Sequence, residues 1–231
     1  KWYLKSAGQG HSEAQYIVGE MYVTGRWLRT DYKQAIEWYL KAAEQGHLKA
    51  QMALGSMYSE GEISNPGHSV PRDYKQATKW YFKAVEQGNS HAQYIVGRMY
   101  LSGTGLAKDT KKGMKLYLKA AEQGHRNAAF SLGSQYLHGD VPKDYKQAMK
   151  WYLKAAEKGH RPSQKRIGMM FYDGRGAIQS YKNAYIWFSI AAGKGGSRQK
   201  SWAADRLSPS ELKEAQDLAA KLYDKIYSKK T

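Results

Sequence analysis

The sequence contains no cysteine. Disulfides and thiolate metal sites are therefore excluded, although oxidising and reducing compartments both tolerate such a chain. Proline is scarce, with five residues. Pro66 and Pro71 share one stretch and Pro209 follows Ser208, so the periodic segments are left unbroken. No run of eighteen apolar residues occurs, and none of the chain reads as a membrane span. The opening residues, Lys1 to Lys5, lack the order of charge, apolar stretch and small cleavage site that marks a signal peptide. They fall inside a repeat, so any targeting segment is expected upstream and the compartment is left open.

Acidic residues are also in deficit. Lys and Arg number 37 against 20 Asp and Glu, for a formal charge of +17. The imbalance is uneven: residues 1–103 carry +3 and residues 104–231 carry +14. Such a surface either keeps the protein soluble or steers an anionic partner towards the basic C-terminal half.

What is abundant is repetition. The block Trp38-Tyr39-Leu40-Lys41-Ala42-Ala43-Glu44-Gln45-Gly46 recurs from Trp2, Trp80, Leu116, Trp151 and Trp187, in steps of 36, 42, 36, 35 and 36 residues. A second block, Ala50-x-x-x-Leu54-Gly55-x-x-Tyr58-x-x-Gly61, recurs from Ala14, Ala92 and Ala128, with a weaker copy from Ser163. Both blocks advance together and form one unit. Each reads as a helix. Ala50, Leu54, Met57 and Tyr58 fall on one face of a 3.6-residue period, as do Tyr32, Ala35, Tyr39 and Ala43 in the Trp block. Asp31, Asp73, Asp109 and Asp144 precede the Trp helices as expected N-caps, and Gly46 stands where a helix end takes a left-handed residue.

Gly19, Gly55, Gly97, Gly133 and Gly168 lie inside helices, each at a cost of about 1 kcal/mol relative to Ala. That repetition predicts close approach of a neighbouring helix, with the paired Ala residues at 42–43, 120–121 and 155–156 expected opposite. The 42-residue step carries an insertion within residues 62–71, a loop open to contact roles.

These features resemble the Sel1-like repeat family, relatives of the tetratricopeptide repeats. The family pattern runs A-x-x-x-L-G-x-x-Y-x-x-G, a loop, then D-x-x-x-A-x-x-W-x-x-x-A-A-x-x-G. Residues 50–61, 73–88, 92–103 and 128–159 follow it nearly throughout. A true tetratricopeptide array has a 34-residue period and a shorter turn. The resemblance implies an all-α, right-handed superhelical α/α solenoid of helix–turn–helix repeats, a single repeat domain over 1–231. A partial repeat (1–10) precedes repeats at 11–46, 47–88, 89–124, 125–159 and 160–195. A degenerate unit at 196–231 ends on a helix at 209–228, similar to the cap of bacterial Sel1-like proteins. Ser208, Pro209 and Glu211 give that helix an N-cap, a first-position proline and a capping box.

Catalytic chemistry finds no constellation. His11, His47, His125 and His160 recur one per repeat, about 8–10 Å apart for packed helices, whereas metal-bound nitrogens sit about 2 Å from one ion. Lys41, Lys83, Lys119 and Lys154 each precede a Glu by three residues, which makes exposed helix pairs and not acid–base dyads. No phosphate-cradling loop or nucleophile elbow is present. Neither a catalytic residue, a metal ligand nor a cofactor site is expected.

The resemblance implies adaptor work on the inner surface of the solenoid, contributed by the first helix of each pair. The positions three before its Gly are Tyr16, Met52, Tyr94, Phe130 and Lys165. Those after the Gly are Glu20, Ser56, Arg98, Ser134 and Met169. An aromatic and Met ladder is thus expected along a groove for a protein or peptide partner, flanked by Arg98 and Lys165, with Glu20, Ser134 and Met169 also expected among the contact residues. The alternative packs these side chains between helices. A different function, binding of nucleic acid, anionic lipid or surface polysaccharide by the basic C-terminal half, differs in its steep salt dependence.

Overall fold

The computed structural model describes residues 2–61, 70–193 and 195–228. Most of the insertion, residues 62–69, lies outside the described residues. Among the described residues the regular elements are thirteen α-helices. In chain order they are α1 (Trp2–Gly8), α2 (Ser12–Thr24), α3 (Tyr32–Glu44), α4 (Leu48–Glu60), α5 (Tyr74–Glu86), α6 (Ser90–Ser102) and α7 (Thr110–Glu122). Then follow α8 (Arg126–His138), α9 (Tyr145–Glu157), α10 (Arg161–Asp173), α11 (Tyr181–Ala192), α12 (Arg198–Ala204) and α13 (Pro209–Tyr227). The chain forms two compact units, residues 1–116 and 117–231.

Within the first unit α2 packs on α3 and α4 on α5, and each Trp-type helix (B) also packs on the next glycine-bearing helix (A). The second unit repeats the arrangement with α8 on α9 and α10 on α11. The helical glycines explain the tight pairing. A Cβ on Gly19 would lie 2.5 Å from the ring of Tyr39, on Gly55 2.5 Å from Tyr81, and on Gly133 2.7 Å from Tyr152. On Gly168 it would lie 2.6 Å from Phe188. The partner of each of these glycines is thus the aromatic residue after the Trp position, not the paired Ala that the sequence suggests. The alanines are buried too: Ala42, Ala43, Ala120, Ala155 and Ala156 are all below 2% exposed, sealed in the core by their small size.

Local chemistry sets the helix ends. Asp31, Asp73 and Asp144 accept backbone N–H groups of the first turns of α3, α5 and α9, and Asp109 accepts that of Lys112 at 2.9 Å. The same residues tie down the loops, since Asp31, Asp73, Asp109 and Asp144 donate their own N–H to the carbonyls of Tyr22, Tyr58, Tyr100 and Tyr136. Between a B helix and the next A helix the turn is reduced to three residues, Gln45, Gly46 and His47 between α3 and α4. Gly46, at φ 86°, takes the left-handed turn that ends α3. His47 then caps α4, its Nδ1 accepting the Ala50 N–H at 3.2 Å. His125 and His160 cap α8 and α10 in the same way, and Asn89 caps α6 through Oδ1. His47, His125 and His160 are thus helix caps with Nδ1 unprotonated, whereas His11 makes no cap bond and its Nδ1 faces the Ser6 carbonyl at 3.1 Å.

A buried glutamine ladder stitches neighbours together. Gln15, Gln51 and Gln164 donate Nε2 to the carbonyls of Ala7, Ala43 and Ala156, each at 3.2 Å, in the preceding B helix. Gln15 and Gln51 accept in turn from Gln45 and Gln87 of the following B helix, at 2.8 Å. Towards the C-terminal end the Tyr227 hydroxyl of α13 donates to Gln164 at 3.2 Å, as Gln45 and Gln87 do to Gln15 and Gln51. α13 opens with the expected Ser208–Glu211 capping box and Pro209 in its first turn. It buries Ala215, Ala219 and Ile226 in a core shared with Phe188 and Ile190 of α11. A terminal unit with this covering helix shields what would otherwise be an open repeat face.

Candidate functional site

The glycine helices of the first unit enclose an open groove of about 570 Å³. Tyr16 of α2, Met52 and Ser56 of α4, and Tyr94 and Arg98 of α6 line it. Four of the nine expected contact residues, Tyr16, Met52, Tyr94 and Arg98, therefore meet around one recess. Lys49, Ile95, His91 and Tyr81 also line it and escaped the sequence reading. Three of them share helix rows with residues already singled out: Lys49 precedes Met52 by three positions, His91 precedes Tyr94 by three, and Ile95 precedes Arg98 by three. Such spacings bring side chains to one face, and that signal was available.

The groove floor is held rigidly. Tyr16 stacks on Tyr39 (5.6 Å between centroids) and on the capping ring of His47 (4.9 Å). The Tyr39 hydroxyl donates to the Glu20 carboxylate. Burial and the nearby Glu20 charge push the phenols of Tyr16 and Tyr39 above their ordinary range. Glu13 accepts from His47 Nε2 at 2.9 Å, a bond that holds its carboxyl below the usual value. The Lys49 ammonium lies 5.8 Å from the Tyr16 ring centre. On the far side, partial burial and then the Arg98 guanidinium lower the His91 imidazole pKa.

The second unit carries the same ring stack. Phe130 of α8 packs on Tyr152 (5.5 Å) and on the cap His160 (4.9 Å), as Tyr16 does on Tyr39 and His47. Ser134 exchanges a hydrogen bond with the Tyr152 hydroxyl at 3.1 Å, so it occupies the role of Glu20. Lys165 is exposed on α10, and Met169 packs partly buried against the core shared by α11 and α13. The position after each glycine thus anchors the ring that fills the glycine notch in two cases, Glu20 and Ser134. That role had no sequence signal, because it depends on which ring reaches across.

Outside these rows the cations work structurally. Lys41, Lys83 and Lys154 sit 4.2–4.9 Å over the rings of Trp38, Trp80 and Trp151, three residues earlier on the same helices. Among the described residues no three His, Asp or Glu side chains are grouped to hold a metal ion. No helix among them is long and apolar enough to cross a membrane.

Comparison with known proteins agrees with this architecture. The Sel1 repeat model matches residues 1–11, 12–47, 48–89, 90–125, 126–160 and 161–196. A protective antigen of uropathogenic Escherichia coli displaying an SLR fold superposes with a TM-score of 0.82 at 33% identity, covering 98% of this chain and 48% of that one. The chain thus spans about half the length of that protein. A Sel1 repeat protein from Oxalobacter formigenes gives 0.73 at 30% identity, covering 92% of this chain and 89% of that one. No functionally curated protein matches. With six matched repeats and two similar solved structures, the chain belongs to the Sel1 repeat family, whose fold is in general a protein-interaction scaffold.

Proposed function

We propose that this chain is a non-catalytic scaffold that takes a peptide or protein partner in the groove along α2, α4 and α6. Tyr16, Met52, Tyr94 and Arg98 would be its main contacts. The observation that carries this reading is their convergence, from three successive helices, around one open recess. Aromatics, Met and Arg are the residues that interface cores enrich. The Tyr16 ring is fixed by Tyr39 and His47, and Tyr39 in turn by Glu20, so little of its side-chain entropy is lost when a partner lands. Phe130, Ser134, Lys165 and Met169 hold the equivalent positions in the second unit and are proposed as a similar surface there. The displaced pKa values of Glu13, Asp109, Glu211 and His160 accompany capping and helix-end bonds, which is structural work and supports a non-catalytic role.

A second proposal, an anionic partner for the basic C-terminal half, rests on its charge of +14. The two are separated by a pulldown with wild type and Met52→Ala/Tyr94→Ala at low and high salt. A protein retained at both salts and lost from the variant, with helical circular dichroism intact, supports the groove. Nucleic acid or polysaccharide held only at low salt and indifferent to the variant supports the anionic partner.

A further inference from the structure

The groove has a charge asymmetry that specifies its occupant. Three carboxylates stand on α2 and α4, of which Glu60 lines the groove, and each is already engaged within the protein. Glu13 accepts from His47, Glu20 from Tyr39, and Glu60 from Ser56 at 3.3 Å. The cations are not matched in this way. Lys49 and Arg98 are exposed, and among the described residues neither has a carboxylate at ion-pair distance. Lys49 touches only the face of Tyr16. Its nearest acidic influence, Glu13, is committed to His47. Between the two cations runs an apolar floor of Met52, Tyr94 and Ile95.

From this asymmetry we infer that the groove selects an acidic linear segment: one bulky apolar side chain with carboxylates on both sides of it. The apolar side chain fills the recess over Met52, Tyr94 and Ile95. One carboxylate meets the Lys49 ammonium, and the other takes the Arg98 guanidinium, whose planar fork suits bidentate binding. A basic segment meets two unscreened cations and is repelled. Among the described lining residues the single carboxylate, Glu60, keeps its charge and offsets that repulsion only in part. Residues 1–103, which hold the groove, carry a net charge of +3, which also favours encounter with the acidic segment. The inference rests on the groove being a binding site, and the test keeps the two claims apart.

The probe is a phage-displayed library of random peptides, selected in parallel on wild type, on K49E/R98E and on Tyr94→Ala. Both charge positions are exposed, so the reversed variant is expected to keep the wild-type helical spectrum and melting temperature. On wild type, Asp and Glu should be enriched beside an aromatic or Leu. A synthetic peptide of that consensus should lose about tenfold or more in affinity when its acids become Ser, as rim charges that steer and orient commonly do. On the charge-reversed protein the same anchor should emerge beside Lys or Arg. Selection of an apolar anchor with no charge preference, lost with Tyr94→Ala, overturns the acidic assignment and leaves the groove standing. Binders that emerge equally from wild type and Tyr94→Ala overturn both.

Discussion

Gly133→Ala sets two well-known effects against each other. In an exposed helix, replacing Gly by Ala gains about 1 kcal/mol from backbone entropy and helix propensity. Here the new Cβ would stand 2.7 Å from Cδ1 and Cε1 of Tyr152 and 3.0 Å from its Cγ. The ring cannot easily retreat. Tyr152 is fully buried, its hydroxyl is held by Ser134, and Phe130 covers one face. Overpacking of this kind costs about 1–3 kcal/mol, and the net effect is a destabilisation of up to about 2 kcal/mol after the propensity gain is subtracted. For a chain of this size that corresponds to a melting temperature lower by up to roughly 4–8 °C. The control is Gly8→Ala in α1, where nothing lies within 4 Å of the added carbon, so only the propensity gain operates. Thermal melts followed at 222 nm should move in opposite directions for the two variants. Equal stabilisation by both would refute the claim that the helical glycines exist to admit aromatic rings.

Other perturbations address the remaining bonds. Gln51→Leu removes the donor to the Ala43 carbonyl and the acceptor for Gln87 at a site 2% exposed. Urea unfolding should report a loss of about 1–3 kcal/mol, the cost of leaving buried polar groups unpaired. Asp144→Ala deletes the acceptor for the Gln147 N–H at 2.9 Å and should cost about 1 kcal/mol, whereas Asp144→Asn should cost much less. His160 accepts from the Ser163 N–H through Nδ1, and burial followed by the Arg126 charge holds its pKa below the ordinary value. A depressed folded-state pKa gives a contribution that is complete above about pH 6.5 and is lost as pH falls below it, because protonation destroys the acceptor. His160→Asn keeps the cap without the titration, as Asn89 does for α6. Its melting temperature should fall less steeply than that of wild type on acidification, and parallel curves would contradict the capping role.

Much of this molecule is legible in one sequence because the repeat writes each rule several times. Asp31, Asp73, Asp109 and Asp144 at B-helix starts, the left-handed Gly after B helices and the Ser208–Glu211 box act through neighbours within four residues, so spacing alone reveals them. The short α12 (Arg198–Ala204) is where the L-G-x-x-Y motif has decayed, and the loss of its apolar row accounts for both. What spacing could not give is the identity of partners across helices. The notch over Gly55 is filled by Tyr81, one residue beyond the Trp, and not by an alanine. The histidine at each junction reads equally well as surface or cap until its Nδ1 is placed. At the groove, Tyr16, Met52, Tyr94 and Arg98 were found by register, while Lys49 and Ile95 belong to the same wall through rows one turn away. Glu20 and Ser134 shared their register and proved to anchor rings.

The central claim is that a protein partner lies over α2, α4 and α6 of the first unit. It is tested most directly by placing a photo-crosslinking benzoylphenylalanine at position 94 in the groove or at position 33, exposed on α3, and irradiating each protein in the cells that make it. The account predicts a discrete protein adduct from position 94, absent from position 33 and suppressed when Met52→Ala and Arg98→Glu are added. Adducts of equal yield from both positions, or an adduct from position 94 that survives those two changes, would contradict it.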